Sequence, residues 1–230
     1  MLKVATYNIR KAVGLDRKRS PERIIEVLNR LDADVIALQE ADRRFGARQC
    51  AIPLKLLESE SDLEPVPFHI RPHSMGWHGN ALLVRKGTRV HFAHPLDLPM
   101  LEPRGAVMAE VEVAGHTLRV IGMHLDLSGL WRRRQIRAIL DRLETLPYHQ
   151  PTVIMGDMNQ WSDRGALSEF AFHHFRLIRT PPSYHASRPI AALDRIILSQ
   201  EVHVTETGVL AEGAALKASD HLPIWATLRL

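Results

Sequence analysis

"TVIMGDMNQWSD", residues 152–163, sets a short apolar run directly against a carboxylate and an amide two positions apart. Side chains alternate along a strand, so Asp157 and Asn159 point the same way if the extended geometry runs on past Gly156. They can then address one object. A polar turn is the plain alternative, because Gly, Asp and Asn all favour turns and Asn tolerates left-handed backbone. The run before them is one of many. "KVATYNI" (3–9), "DVIALQ" (34–39), "NALLV" (80–84), "AVMAEVEV" (106–113), "TLRVIGMH" (117–124), "RIILS" (195–199) and "IWATLRL" (224–230) are likewise short and mostly apolar, the pattern of strands buried on both faces.

Working outward, the strands at 106–113 and 117–124 are separated by "AGH", which reads as an antiparallel hairpin with a three-residue connection, so the sheets are mixed or antiparallel. Two helices stand between strands. In "SPERIIEVLNRL", Ser20 can cap, Pro21 suits the first helical position, and Ile24, Val27, Leu28 and Leu31 form an apolar stripe. In "SGLWRRRQIRAILDRLETL" the stripe is Ile136, Ile139, Leu140, Leu143 and Leu146, while Arg132, Arg133 and Arg134 crowd the first turn against the helix dipole. They are either solvated or offset by a nearby anion. A weaker helix is expected over 165–175. Residues 43–75 and 176–192, rich in Pro, Arg, His and Ser, read as long surface loops. This order of elements predicts an α/β fold, two packed sheets with helices outside, in a single domain over 1–230.

With 45% hydrophobic residues in 230, the chain can bury a large core. The net charge of +4, with arginines far outnumbering lysines, is mildly attractive to phosphate and too weak to specify nucleic acid. Cys50 is the only cysteine, which excludes an intrachain disulfide and a thiolate metal cluster. "MLKVATYNIR" starts as a strand without a signal-peptide pattern, and no apolar run approaches the ~18 residues of a membrane span. A cytoplasmic location is expected, with no integral membrane contact and no obligate protein partner.

Several strands end in residues that a core would not choose: Asn8, Glu40, His124 with Asp126, and Asp157 with Asn159. Asp194 stands before "RIIL", and "SDH" (219–221) stands before the last strand. Singly, each has a structural reading, such as a loop hydrogen bond or a satisfied core histidine. Together they suggest one polar site at one end of the strands.

The order "TYNIR", "LQE", "HGNALLVR", "MHLDL" with an Arg-rich helix, "GDMN", "LDRIILS" and "SDHLPI" resembles the endonuclease/exonuclease/phosphatase family, the pancreatic deoxyribonuclease-like phosphoesterases. The resemblance runs from residue 4 to 228. It implies a four-layer α/β sandwich and divalent-metal-dependent hydrolysis of a phosphodiester or phosphomonoester. Carried over position by position, it implies Glu40 as principal metal ligand with Asn8 and Asp220 beside it. Asp157 and Asn159 are implied at the attacking water or scissile phosphate, His221 as active-site histidine with Asp194 orienting it, and His124 as second histidine. It implies Arg104 as a phosphate contact, with His78 and Asn80 on the substrate side. The deoxyribonuclease branch has a glutamate where this chain has His78. No counterpart of the exonuclease III branch's catalytic tyrosine stands near "LWRRRQ", which argues against abasic-site repair. Oxygen ligands suit Mg²⁺ or Mn²⁺. The modest charge predicts few phosphate contacts, hence short single-stranded nucleic acid or a small phosphorylated molecule as substrate. A phospholipid or sphingolipid head-group phosphodiesterase and an inert phosphate-binding module are the competing readings.

Overall fold

The computed structural model describes residues 1–43, 49–68 and 74–230. Along the chain, β1 (Leu2–Asn8) leads through a 3-10 turn (Arg10–Ala12) to α1 (Pro21–Leu31) and β2 (Val35–Gln39). Next come α2 (Leu54–Glu60), β3 (Leu63–Pro65), β4 (Ala81–Arg85), β5 (Val90–Leu96), β6 (Ala106–Val113) and β7 (His116–His124). Then follow α3 (Gly129–Glu144), β8 (Thr152–Asp157), a 3-10 turn (Gly165–Leu167), α4 (Ser168–Phe172), β9 (Arg176–Leu177), β10 (Asp194–Leu198), β11 (His203–Val209), α5 (Ala215–Ala218) and β12 (Ile224–Arg229).

The strands form two six-stranded sheets, ordered β11-β12-β1-β2-β4-β3 and β5-β6-β7-β8-β10-β9. Each is antiparallel except at its centre, where β1 pairs parallel with β2 and β7 with β8. Period-two alternation sorts the strand residues into three cores. Val4, Val35, Ala37, Leu82, Val107, Val120, Val153 and Ile196 meet between the sheets. Ala5, Tyr7, Ile36 and Leu38 turn the other way to pack under α1, α2 and α5. Met108, Ile121, Ile154 and Ile197 do the same under α3 and α4. Three cores separate four layers, the α/β sandwich expected from the sequence. Each fully buried Leu or Ile contributes about 1.5–3 kcal/mol.

α1 forms as its sequence dictates: the Ser20 hydroxyl accepts the Arg23 N–H at 3.4 Å, Pro21 opens the helix, and Asp32 closes it in left-handed geometry. The β6–β7 hairpin is tighter than expected. Val113 pairs with His116, so the loop is the two residues Ala114 and Gly115, both at positive φ, as a primed turn requires. Residues 43–75 and 176–192 are not simply loops. The first contains α2 and β3, with 44–48 and 69–73 outside the described residues, and the second contains β9. Along 165–175 there is a 3-10 turn and then the short α4. β3, β5, β9 and β11 escape a search for apolar runs because all are short or lie at sheet edges, where polar residues and Pro95 face outward and block further pairing.

The arginine crowding on α3 is resolved by contacts. Arg133 pairs with Glu169 of α4 at 3.2 Å, Arg132 donates to the Asp126 and Leu127 carbonyls, and Arg134 lies over Trp131. The anion that offsets Arg133 is therefore part of the chain.

Candidate active site

The parallel pairs carry their C-terminal ends to one edge of the sandwich. Asn8 is level with Gln39, so Glu40 follows at the end of the neighbouring strand. In the other sheet His124 is level with Asp157, and Asp157 with Asp194. Asp157 thus has His124 on one side and Asp194 on the other. The closing loop is fastened to this edge by Ser219, whose hydroxyl donates to the Asn8 carbonyl at 2.7 Å and accepts the His221 N–H at 3.3 Å.

The extended geometry stops at Asp157. Asn159 lies at φ 48°, its N–H donates to Asp157 Oδ1 at 2.9 Å, and its side-chain amide donates to the Leu125 carbonyl at 2.8 Å. The turn reading and the site reading both hold: "GDMN" is an Asx turn whose carboxylate keeps Oδ2 for the site. Gly156 permits the close approach of β8 to β7, for a Cβ there would stand 1.8 Å from the Met123 carbonyl oxygen.

Around Asp157 Oδ2 the site converges. Asn8 Nδ2 donates to it at 3.0 Å, His124 Nε2 lies 3.4 Å away, and His221 Nε2 lies 3.7 Å away. The other ring nitrogen of His221, Nδ1, is 2.8 Å from Asp194 Oδ2, an oxygen that also accepts the Ser183 hydroxyl. The Tyr184 ring lies against the His221 ring with centroids 4.9 Å apart. Burial alone would lower the pKa of His221, but Asp194, by charge and hydrogen bond, together with Asp157 and Asp220, lifts it to about 10. His124 goes the other way, to about 3. Burial is the main cause, helped by the charges of Arg104 and His221 and only partly opposed by Asp157. Arg104 donates to His124 Nε2 and, at 3.2 Å, to the Leu125 carbonyl. The two histidines are therefore shifted in opposite directions, His221 upward by its carboxylate neighbours and His124 downward by burial. Tyr7, buried behind them, has its hydroxyl pushed above the usual range by burial and by the charges of Asp220 and Asp194.

The remaining expected residues divide. Glu40, Arg104, His78 and His124 line one cleft with Lys11 and Glu102. Glu40 pairs with Lys11, and Asp220 lies 3.4 Å from the Arg10 guanidinium. Asn80 is set back from the cleft. It is fully buried, donates to the Gly105 carbonyl at 2.9 Å and, among the described residues, leaves Oδ1 without a hydrogen-bond partner, so it braces the loop behind His78. Asn8 offers the site a donor, because its amide oxygen accepts the Arg10 N–H at 3.1 Å. Asp126 is structural: it accepts the N–H of Ser128 at 2.9 Å and of Glu102 at 3.3 Å. Of the two tryptophans flanking the site, Trp77 packs edge-on to His78 and Trp161 is exposed. Sequence reasoning missed Lys11, Ser183 and Tyr184. A lysine three positions after Asn8 gave a faint signal; Ser183 and Tyr184 gave none, since only the tertiary fold brings them to Asp194 and His221.

Comparison with known proteins bears on the family and the fold. The sequence model of the endonuclease/exonuclease/phosphatase family matches residues 5–221. The uncharacterized protein YbhP of Escherichia coli (strain K12) is 25% identical over 252 aligned positions, covering 99% of this chain and 96% of the relative. The structure of mannosyl-6-phosphatase Bt3783 from Bacteroides thetaiotaomicron VPI-5482 superposes with a TM-score of 0.79 at 17% identity, with 100% of both chains covered. D. rerio TDP2 complexed with single strand DNA product gives 0.75 at 16% identity, covering 100% of this chain and 99% of that one. The structural likenesses are likenesses of fold. The sequence match is more specific, since it runs from within β1 to the histidine of the closing loop and takes in both halves of the site, and it shows that the chain belongs to the endonuclease/exonuclease/phosphatase family.

Proposed function

We propose that this protein is a divalent-metal-dependent phosphoesterase, a single catalytic domain over residues 1–230, that hydrolyses a phosphodiester or phosphomonoester by attack of water. Phosphoester hydrolysis is what the members named in the family's description have in common. The observation that carries the mechanism is the His221–Asp194 pair, with Nδ1 on the carboxylate at 2.8 Å and Nε2 turned to Asp157. In such a pair Nδ1–H stays on Asp194, which fixes the tautomer, and Nε2 is left to take a proton from water. The upward shift of its pKa has the same cause, the stabilisation of the imidazolium so formed by Asp194, Asp157 and Asp220. Asp157, held by Asn8 and Asn159, orients the water. Arg104 and His78 face the phosphate from the cleft, and the neutral His124 beside Arg104 serves as a hydrogen-bonding group at the phosphoryl oxygens.

The donor set fits a hard cation. Glu40 and Asp220 are oxygen ligands that each draw a cationic side chain from the Arg10–Ala12 turn, a sign that positive charge is wanted there. Glu40 and Asp220, with Asn8 alongside, would hold Mg²⁺ or Mn²⁺, which would supply neutralisation of the charge developing on the phosphate. Asp157, Asp194 and His221 also offer ligand atoms within 4.8 Å of one another. Because Asp194 Oδ2 already takes His221 and Ser183, we assign that trio to proton transfer rather than to metal binding.

Among the described residues no helix is long and apolar enough to cross a membrane, and Cys50 is a free thiol. We propose the cytoplasm as location and, from the modest net charge of +4, a substrate with few phosphates: short single-stranded nucleic acid or a small phosphorylated molecule. The test is a panel of phosphodiesters and phosphomonoesters, head-group lipids included, assayed with added Mg²⁺ or Mn²⁺. Cleavage of none of them would leave a phosphate-binding module.

A further inference from the structure

Arg10, Lys11 and Ala12 lie consecutively at φ 44°, 56° and 59°, a left-handed turn built from residues with side chains. Such a backbone persists only where its surroundings over-determine it, and it clusters at functional sites. Here the fastenings are visible. Arg10 N–H donates to Asn8 Oδ1 at 3.1 Å, Lys11 N–H to the Glu40 carbonyl at 3.1 Å and Ala12 N–H to the Ile9 carbonyl at 2.8 Å. The turn fixes where the Lys11 backbone stands and leaves its side chain, 30% exposed, at the cleft that Arg104, His78 and His124 also line. The ammonium rests on the Glu40 carboxylate.

Glu40 is also the carboxylate assigned above to the metal. An ammonium and a divalent cation on one carboxylate repel each other, so binding of the cation loosens the ammonium's hold on Glu40. A lysine suits that exchange. It is a point charge on a flexible four-carbon stem, whereas an arginine fork is tied to one planar geometry. Once off Glu40, it lies in the cleft that Arg104, His78 and His124 also line, where a substrate phosphate offers it a new anion. We propose that Lys11 is a phosphate-contacting residue stored on Glu40 in the ligand-free protein, so that occupation of Glu40 by a cation frees the ammonium for the substrate. The proposal rests on the phosphoester reading of the site and makes cation and phosphate binding cooperative.

The test uses two titrations and no turnover. Calorimetric titration of Mg²⁺ into the Lys11→Met variant should show binding about fivefold tighter than in the unaltered protein, the weight of a partly exposed ion pair. That gain should persist in about 0.5 M KCl, where fields reaching beyond about 4 Å are screened. Inorganic phosphate titrated into the Mg²⁺-saturated proteins should bind the variant about tenfold more weakly, while Lys11→Arg keeps most of the affinity. Unchanged or weaker Mg²⁺ binding in Lys11→Met overturns the storage on Glu40, and unchanged phosphate binding overturns the contact. Met at this φ carries the same backbone strain as Lys, and Lys11→Gln should repeat both signs, which separates the effect from misfolding. If the unaltered protein hydrolyses no phosphoester, the reading of the function fails while the two titrations still decide the role of Lys11.

Discussion

Asn8 donates a hydrogen bond to Asp157 at 3.0 Å, joining residues 149 positions apart and ending strands of different sheets. The site is thus built on the seam of the sandwich, and each sheet alone carries only half of it. Asn8→Ala removes this bridge and leaves Asp157 less firmly aimed. The expected outcome is a fall in kcat with little change in KM, measured on whichever phosphoester the panel identifies; a change confined to KM would move Asn8 from aiming the carboxylate to binding substrate.

Glu40→Gln keeps the shape of the side chain and removes its charge. Affinity for Mg²⁺ should fall roughly tenfold or more, since affinity in oxygen sites follows ligand charge. Hydrolysis should fall with it. Unchanged calorimetric affinity would show that the cation is held elsewhere, with the Asp157, Asp194 and His221 trio as the next place to look.

If His221 accepts the proton, only its neutral form is competent, so activity should rise with pH along an acid limb. Asp194 favours the charged form, and Asp194→Asn should therefore move that limb to lower pH while slowing the reaction by about 10²-fold or more. A limb that stays in place in the pH–rate profile means that another group is titrating.

The two histidines also set the pH dependence of stability in chelator. His221 has a folded pKa of about 10 against an ordinary 6.5, so its stabilisation is complete below 6.5 and is lost as pH rises towards 10. His124 has a folded pKa of about 3, so the unfolded chain takes up a proton first and stability is lost as pH falls from 6.5 towards 3. Thermal melts should peak near neutrality. His221→Asn should flatten the alkaline side and His124→Asn the acid side; equal flattening of both sides by either variant would contradict these assignments.

Away from the site, Arg119 and Glu110 are cross-strand partners on β7 and β6, both buried, joined at 2.7 Å with the Tyr148 hydroxyl on the second carboxylate oxygen at 3.0 Å. Arg119→Met leaves Glu110 buried without its cation. The cost should be about 3 kcal/mol or more in denaturant unfolding, and the double variant Arg119→Met with Glu110→Leu should recover much of it.

The sequence spoke most clearly where periodicity and chemistry coincide. The central strands are apolar on both faces because layers cover both faces, and their polar last residues stand out for that reason. Asn8, Glu40, His124 and Asp157 were legible as strand ends, and "SDH" as a polar break before an apolar strand. The edge strands were not, since β5 and β11 are half-exposed and carry the polar residues that keep edges from pairing. Ser183 and Tyr184 were invisible for another reason: their partners Asp194 and His221 lie beyond the span of any local pattern. The Asn159 turn shows a local ambiguity that only the fold resolves, because the same three residues make a turn and aim a carboxylate.

The pairing of β1 with β12 has a consequence for synthesis. β1 lies between β2 and β12, and Ser219 reaches back to the Asn8 carbonyl. A chain growing from its N-terminus displays Asn8, Lys11 and Glu40 early, but β1 keeps an open edge, and the base of the proposed reaction is missing, until β12 and the loop before it arrive. Such a long-range closure is slow compared with hairpin formation. The N-terminal segment therefore cannot assemble the proposed site by itself: the proposed base joins Asn8 and Glu40 only when β12 docks against β1.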